Sequence, residues 1–134
     1  GCCNDRVTGE EAQKIREIAE SFGRFEFIPE RLMDAFSAVC GCSPAYVFMF
    51  IEAMADAAVA QGLPRSQAYS FAAQAVMGSA KMVLETGRHP AELKDMVCSP
   101  AGSTIEGVRI LEDKGMRSAV FEALTGAAEK GKRL

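Results

Sequence analysis

An all-α fold is predicted by three properties of this 134-residue chain. Alanine and methionine are abundant and β-branched residues are sparse, which favours helices. Apolar residues recur at helical spacing from Glu30 onward, and glycine and proline divide that stretch into segments of helix length. With 49% hydrophobic and 25% charged residues, the composition is that of a globular chain and excludes intrinsic disorder.

Charge and cysteine usage narrow the class of protein further. The formal net charge is −3, and the only basic run is the short segment Lys130–Arg133, so a nucleic-acid surface is not expected. The chain has 5 cysteines, an odd number, and shows no secretory or lipidation pattern at its N-terminus. We therefore expect reduced thiols and a cytoplasmic location.

The first thirty residues differ in character from the rest. Thr8 and Glu11 have the spacing of a capping box and predict a helix that stops at Gly23. The following segment, Arg24–Ile28, alternates polar and apolar residues and predicts a short strand that ends at Pro29.

A single strand has no partner for its backbone hydrogen-bonding groups. Either two chains pair through it, or its sheet belongs to another part of the protein, and we favour the second. Residues 1–29 are therefore predicted to end a separate domain, and residues 30–134 to form a helical domain.

Residues that typically cap or end helices predict the helices of residues 30–134. Ser43 is expected to be the N-cap of an apolar helix that begins at Pro44 and ends before Gly62. Ser103 and Glu106 offer a second capping box. The remaining helices are predicted from Pro64 to Gly87, from Pro90 to about Val97, from Ser103 to about Lys114, and from Met116 to about Lys130.

The helix Pro44–Gln61 is long and apolar enough to raise the question of a membrane span. Glu52 and Asp56 lie in its middle, where each would cost about 2.5–3.5 kcal/mol on insertion, so we expect it to be buried in protein. A helix that is apolar on nearly all sides must be surrounded. An interlocked dimer would supply that cover; the alternative is a monomeric bundle with this helix at its centre.

Six ordered segments carry a resemblance to a known family: Cys40–Phe48, Ile51–Asp56, Gly62–Arg65, Ala72–Gln74, His89–Pro90 and Leu93–Gly107. Together they resemble the helical domain of pyrroline-5-carboxylate reductases, and the likeness runs from about Val7 to the C-terminus. The last segment, which contains Cys-Ser-Pro-Ala-Gly-Ser-Thr, is similar to the signature stretch of that family.

The resemblance implies NADPH- or NADH-dependent reduction of 1-pyrroline-5-carboxylate to L-proline, the last step of proline biosynthesis. It also implies an all-α bundle similar to the C-terminal domain of 6-phosphogluconate-dehydrogenase-like enzymes, assembled as an interlocked homodimer or higher oligomer. Family members bind the nucleotide through an N-terminal Rossmann domain, but this chain contains no Gly-x-Gly-x-x-Gly motif. Residues 1–29 are then expected to be the end of that domain, and the chain alone is expected to be inactive.

The loop Cys98–Thr104 is the candidate substrate site. A turn of small residues that leads into a helix presents free backbone N–H groups, which suit a carboxylate. By the resemblance, the Thr104 hydroxyl faces the ring nitrogen, and Ser99, Gly102 and Ser103 hold the carboxylate. The alternative is an ordinary helix start without a ligand.

By the same resemblance, Cys40, Gly41 and Cys42 occupy a Ser-Gly-Ser motif near the nicotinamide. Cysteines replace both serines, and a thiol is a weaker hydrogen-bond donor than a hydroxyl. A zinc site is not expected, because zinc needs about four ligands and His89 is the only histidine. In the signature loop, Ala101 and Ser103 replace the usual glycine and threonine.

Two other functions remain open. One is a non-catalytic helical association module, and the other is a related imine or hydroxyacid reductase with a different substrate. Glu52 and Asp56 could form a pair for acid–base catalysis, but their spacing on an interface helix favours structural polar contacts. His89 precedes Pro90 and is interpreted as a turn residue.

Overall fold

The computed structural model describes residues 1–133, and within them it contains seven α-helices and no β-strand. The predicted all-α class is confirmed. The helices are α1 (Gly9–Glu20), α2 (Met33–Ser37), α3 (Ser43–Ala60), α4 (Arg65–Thr86), α5 (Pro90–Met96), α6 (Ser103–Asp113) and α7 (Met116–Gly131).

The chain forms two compact units. The first contains Gly1–Ser43 and the part of α7 from Ala123 onward, and the second contains Pro44–Glu122. The second unit holds the α3–α4 hairpin, α5, α6 and the loop between α5 and α6. The domain boundary expected at residue 30 stays a prediction.

The predicted capping box opens α1. The Thr8 backbone N–H donates to Glu11 Oε2 at 2.9 Å, and the Glu11 N–H donates to Thr8 Oγ1 at 3.3 Å. These bonds satisfy backbone donors that every helix start leaves free. The hydrogen bonds from the Thr8 backbone and hydroxyl lower the pKa of Glu11 below its ordinary value, because they stabilise the charged carboxylate.

The strand predicted at Arg24–Ile28 does not form, and that prediction is wrong. The segment instead makes two backbone hydrogen bonds with Gly1. The Gly1 amino group donates to the Glu26 carbonyl at 2.8 Å, and the Ile28 N–H donates to the Gly1 carbonyl at 2.9 Å. These two hydrogen bonds pair Gly1 with Phe27 in the pattern of parallel β-strands. A single pair of residues is too short to form a β-sheet.

The helix start predicted at Ser43 and Pro44 is also absent. A π-helical segment, Ala38–Cys42, joins α2 directly to α3, and the Ser43 hydroxyl donates to the Val39 carbonyl instead of capping a new helix. Pro44 has no N–H for the carbonyl four residues earlier, and its ring crowds that carbonyl. A wider π-turn relieves this conflict without ending the helix.

The α3–α4 hairpin forms the core of the second unit. Its turn is the predicted stop at Gly62, which has φ +97°. The Gly62 N–H donates to the Val59 carbonyl at 2.9 Å, and the Leu63 N–H donates to the Ala58 carbonyl at 3.0 Å. This is the Schellman arrangement.

Alanines let the two helices approach closely. Ala55 of α3 and Ala68 and Ala72 of α4 are the buried members of this core. Arg65 Nη1 lies 2.6 Å from Asp56 Oδ1 and 3.2 Å from the Tyr69 hydroxyl, which ties the start of α4 to α3. Asp56 therefore has a structural partner in Arg65, and the interpretation of Glu52 and Asp56 as structural polar residues stays a prediction.

Most of α3 is not covered within one chain. Only Ala55 of this helix is buried, while Phe48 is 69% exposed and Met49 is 67% exposed. A monomeric bundle with α3 at its centre is therefore wrong. The continuous helical stretch Glu30–Ala60 contains an 18-residue window with a mean hydropathy of 1.5. It therefore meets the length and composition of a membrane span, a property that core helices of globular proteins share.

Candidate functional site

A tight turn connects α5 to α6. The Gly102 N–H donates to the Ser99 carbonyl at 3.0 Å, Pro100 fixes φ at the second position, and Ala101 has φ +59°. A turn with proline second and a positive φ third is a type II turn.

Gly102 is the N-cap of α6, with φ −77° and ψ 167°. The capping box predicted from Ser103 and Glu106 is therefore wrong, because Ser103 is already the first helical residue. Glu106 instead accepts hydrogen bonds from Arg109 Nε at 2.9 Å and Nη2 at 2.8 Å. This pairing lowers the pKa of Glu106.

Because no capping box forms, the backbone N–H groups at the start of α6 have no side-chain acceptor. The N–H groups of Ser103, Thr104 and Ile105 have no acceptor within the helix, and no residue in the described part of the chain supplies one. Free amides at the positive end of a helix dipole form a binding site for an anion.

The structure brings four of the predicted site residues together at this junction. Ser99 lies at the start of the turn, Gly102 at its end, and Ser103 and Thr104 in the first turn of α6; the three hydroxyl-bearing side chains are exposed. A Cβ at position 102 would lie 2.3 Å from Ser99 Oγ and 3.1 Å from the Ser99 carbonyl oxygen, so a side chain there requires Ser99 to shift. The roles of these residues in binding stay predictions.

The other predicted site residues lie in the first unit, in the π-helical segment Ala38–Cys42. Cys40 is exposed, Cys42 is half-buried, and both have free thiols. A Cβ on Gly41 would contact only Ser37 Oγ, at an ordinary 3.6 Å. Glycine within a helix costs about 0.5–1 kcal/mol relative to alanine, and nothing in the described chain requires that cost.

His89 has a structural position, as expected of a turn residue. Its Nδ1 accepts a hydrogen bond from the Ala91 N–H at 3.2 Å and so caps α5. Among residues 1–133 there is no group of three or more histidine, cysteine, aspartate or glutamate side chains that could hold a metal ion.

Sequence analysis missed an apolar cavity of about 350 Å³ in the second unit. It is lined by Ser79, Met82, Val83, Pro90, Leu93, Lys94, Met96 and Val97. Two helices, α4 and α5, supply these residues, and periodicity within one helix does not reveal how it meets another. Lys94, on its wall, pairs with Asp95, whose carboxylate raises the pKa of the lysine.

The fold defines a class of protein: an all-α domain whose apolar helix α3 is left largely uncovered within one chain. The family model for pyrroline-5-carboxylate reductase dimerisation matches residues 30–134, which is most of the chain. The chain belongs to this family.

Curated relatives agree with that assignment. A pyrroline-5-carboxylate reductase of Escherichia coli is 62% identical over 131 residues, which cover 98% of this chain and 49% of the relative. One from Methanosarcina acetivorans is 50% identical over 128 residues, covering 96% and 47% respectively. The chain thus spans about half the length of the curated relatives it matches.

Solved structures share the fold over nearly the whole chain. A pyrroline-5-carboxylate reductase from Coxiella burnetii has a TM-score of 0.93 at 30% identity, covering 98% of this chain and 49% of that one. The Plasmodium falciparum pyrroline carboxylate reductase with NADP bound has a TM-score of 0.90 at 35% identity, covering 97% and 52%.

Proposed function

We propose that this chain is the helical half of a pyrroline-5-carboxylate reductase, which reduces 1-pyrroline-5-carboxylate to L-proline with NADPH or NADH. The observation that carries the proposal is the open start of α6, where the amides of Ser103 and Thr104 follow a turn without side-chain capping. The substrate is a small cyclic imine with one carboxylate, and this junction has the chemistry to hold that anion.

In this proposal the carboxylate binds to the amides of α6 and to the hydroxyls of Ser99 and Ser103. Gly102 keeps the approach to the backbone open, since it has no side chain. Binding through several donors at once would orient the ring, and fixing the ring in reactive geometry lowers the barrier by avoiding an entropy loss in the transition state.

Thr104 is the proposed catalytic residue. Reduction adds a hydride, which a nucleotide would supply when bound, to the carbon of the protonated imine; the π electron pair becomes the lone pair of the ring nitrogen, which keeps its proton. The Thr104 side chain is exposed at the second position of α6, beside the carboxylate-binding amides. Its hydroxyl would hydrogen-bond to the ring nitrogen and hold the imine carbon towards the nucleotide.

Residues 1–29 are proposed to belong to the nucleotide-binding domain. The parallel bonding of Gly1 with the segment around Phe27, connected through α1, resembles one crossover of a βαβ unit. The family match begins at residue 30, which supports the same boundary. The chain by itself would then not turn over substrate.

Cys40, Gly41 and Cys42 are proposed to lie near the nicotinamide. Gly41 supports this assignment, because the chain itself leaves room for a side chain there. A group from outside the described chain that approaches the backbone would explain why position 41 is glycine.

We also propose a homodimer in which the exposed face of α3 is buried against a second copy. The dimerisation family and the exposed Phe48 and Met49 support this assembly. The cytoplasm is the proposed location, because its reducing conditions suit five free thiols.

Steady-state kinetics of the full-length protein that contains this segment test the proposal. NADPH-dependent formation of L-proline is expected, and Thr104→Ala should lower kcat/KM about ten- to a thousandfold, on the order of 1–4 kcal/mol. Thr104→Ser keeps the hydroxyl and should retain most of the activity. Equal activity of the alanine and serine variants would refute the role of Thr104.

Hydrogen exchange on the isolated chain separates the alternatives. Proline should protect the amides of Ser103 and Thr104, although the chain alone should form no proline from substrate. Protein-dependent proline formation by the chain would contradict its proposed dependence on a nucleotide domain. A full-length protein that neither binds proline nor reduces the substrate would be a non-catalytic association module. A full-length protein that prefers another imine or a hydroxyacid precursor as its substrate would be a related reductase.

A further inference from the structure

Two apolar cavities meet on the surface of α4. The first is the cavity of about 350 Å³ between α4 and α5. The second, of about 460 Å³, lies between α3 and α4, and Phe50 and Met54 supply its α3 wall. Ser79 and Val83 line both cavities. The two cavities therefore form one groove, the α3–α5 groove, which crosses α4 within the second unit.

The α3–α5 groove is poorly suited to a polar ligand. Among the described residues that line it, the polar side chains are those of Ser79 and Lys94, and both already have partners. The Ser79 hydroxyl donates to the Ala75 carbonyl at 2.9 Å, and Lys94 pairs with Asp95. Water is also poorly held, because an ordered water needs about two to four polar partners. The groove therefore favours apolar side chains as its occupant.

The position of the groove indicates where those side chains come from. One wall of the groove belongs to α3, the helix that also exposes Phe48 and Met49. The family match for dimerisation covers residues 30–134, and therefore covers every residue of the groove. In a symmetric dimer the same patch of each copy meets the other, so that patch must carry both projections and depressions. Phe48 and Met49 supply projections, and the α3–α5 groove supplies depressions.

We propose that the α3–α5 groove is occupied by a second copy of this chain, which places apolar side chains in both cavities. The inference rests on the proposed homodimer and extends its interface from α3 over α4 to α5. Reciprocal insertion would also cover Met82 of α4 and Met96 of α5, which line the groove and are exposed in one chain. Exposed apolar surface of this kind marks an association site.

The first test fills the groove from within the chain. Ser79→Phe places a large apolar side chain where the two cavities meet, and position 79 is exposed, so the side chain fits one chain without a clash. It would then compete with a second copy for the same space. In analytical ultracentrifugation of the full-length protein, the dissociation constant of the dimer should rise about tenfold or more.

Two matched variants control for the substitution itself. Ser66 lies on the same helix, is also exposed, and lines neither cavity, so Ser66→Phe should leave the dissociation constant unchanged. Ser79→Ala removes the hydroxyl without adding bulk and should also leave it unchanged. Circular dichroism should show the same helix content in all three variants.

Met96→Asp is an independent test at the α5 end of the groove. A carboxylate is tolerated at this exposed position in one chain, but beneath a second copy it would be buried without a partner. The variant should therefore stay helical while the dissociation constant of the dimer rises. It keeps the proposal falsifiable even if Ser79→Phe does not fold.

Helical groove variants with an unchanged dissociation constant would overturn the proposal, and this result is expected if the groove holds a small apolar ligand or a different protein. Equal dissociation of Ser66→Phe and Ser79→Phe would overturn it too. A monomeric wild type would defeat the proposed homodimer and this inference with it. A dimer that Met49→Asp dissociates, but that neither groove variant weakens, would defeat only this inference.

Discussion

Ser99 and Gly102 close a turn in which a side chain at position 102 would overlap Ser99. The Gly102 N–H lies 3.0 Å from the Ser99 carbonyl oxygen, and a Cβ on residue 102 would lie 2.3 Å from Ser99 Oγ. The backbone of Gly102 itself has an ordinary φ of −77°. Glycine is therefore favoured at position 102 by crowding against Ser99, in contrast to the glycines at which a positive φ is needed.

Gly102→Ala should lower the free energy of unfolding by about 1–3 kcal/mol, because the added methyl group overlaps Ser99. Gly107→Ala is the matched control on the same helix, since a Cβ there meets nothing within 4 Å, and it should stabilise by about 1 kcal/mol. Denaturant unfolding measures both. Ser99→Ala should partly rescue Gly102→Ala; strict additivity in this double-mutant cycle would mean that the clash is not the cause.

Gly41→Ala should raise the stability of the isolated chain by about 0.5–1 kcal/mol, because alanine loses less backbone entropy than glycine in a helix. In the full-length protein the same change should raise KM for the nucleotide, if a bound group approaches this backbone. Gly126→Ala in α7, where a Cβ also meets nothing within 4 Å, should stabilise without affecting the nucleotide. An unchanged nucleotide KM for Gly41→Ala would remove the support for a cofactor contact there.

The capping box of α1 predicts a dependence of stability on pH. The pKa of Glu11 is lowered in the folded state from an ordinary value of 4.5 by the hydrogen bonds from Thr8. The stabilisation is therefore fully present above pH 4.5 and is lost as pH falls through the folded-state pKa. Glu11→Gln should lower Tm at pH 7, and the difference from wild type should shrink in acid.

Glu129→Gln in α7 is the control for that measurement, because Glu129 forms no ion pair with a described residue. Its Tm over the same pH range is the reference for the Glu11 variant. A Glu11→Gln difference from wild type that does not change with pH would show that the carboxylate of Glu11 is not linked to folding.

Met49→Asp should disrupt the proposed dimer, because a carboxylate would replace a thioether on the exposed face of α3 and would be buried without a partner. Analytical ultracentrifugation should find monomer, with circular dichroism to verify that helices persist. Phe22→Asp changes a residue that is 80% exposed but lies outside the matched dimerisation segment, and it should stay dimeric. A dimeric, helical Met49→Asp variant would exclude this face from the interface.

Features that depend on neighbouring residues alone were predictable. Thr8 and Glu11 lie three residues apart and form the hydrogen bonds of the capping box. Gly62 and Gly87 end helices because each adopts a positive φ. Pro90 is the first residue of α5. In each case a side chain or backbone preference acts within one helical turn, so the sequence already contains both partners.

The hydrogen-bond partners of two side chains, those of Ser43 and Glu106, were predicted wrongly. Ser43 donates to the Val39 carbonyl instead of capping α3, since the helix continues through a π-turn. Glu106 pairs with Arg109 instead of completing a capping box. Each residue has two chemically reasonable partners close by in the chain, and local propensity does not rank them.

The sequence by itself determined the helical class, most helix ends and the segment that carries the candidate site, because periodicity, caps and stops are local properties. The tertiary structure decided that α3 stays exposed in one chain, that the start of α6 keeps its amides free, and that Ala101 enters a strained turn. These outcomes depend on which groups compete for the same hydrogen bonds and space, and only the assembled backbone settles that competition.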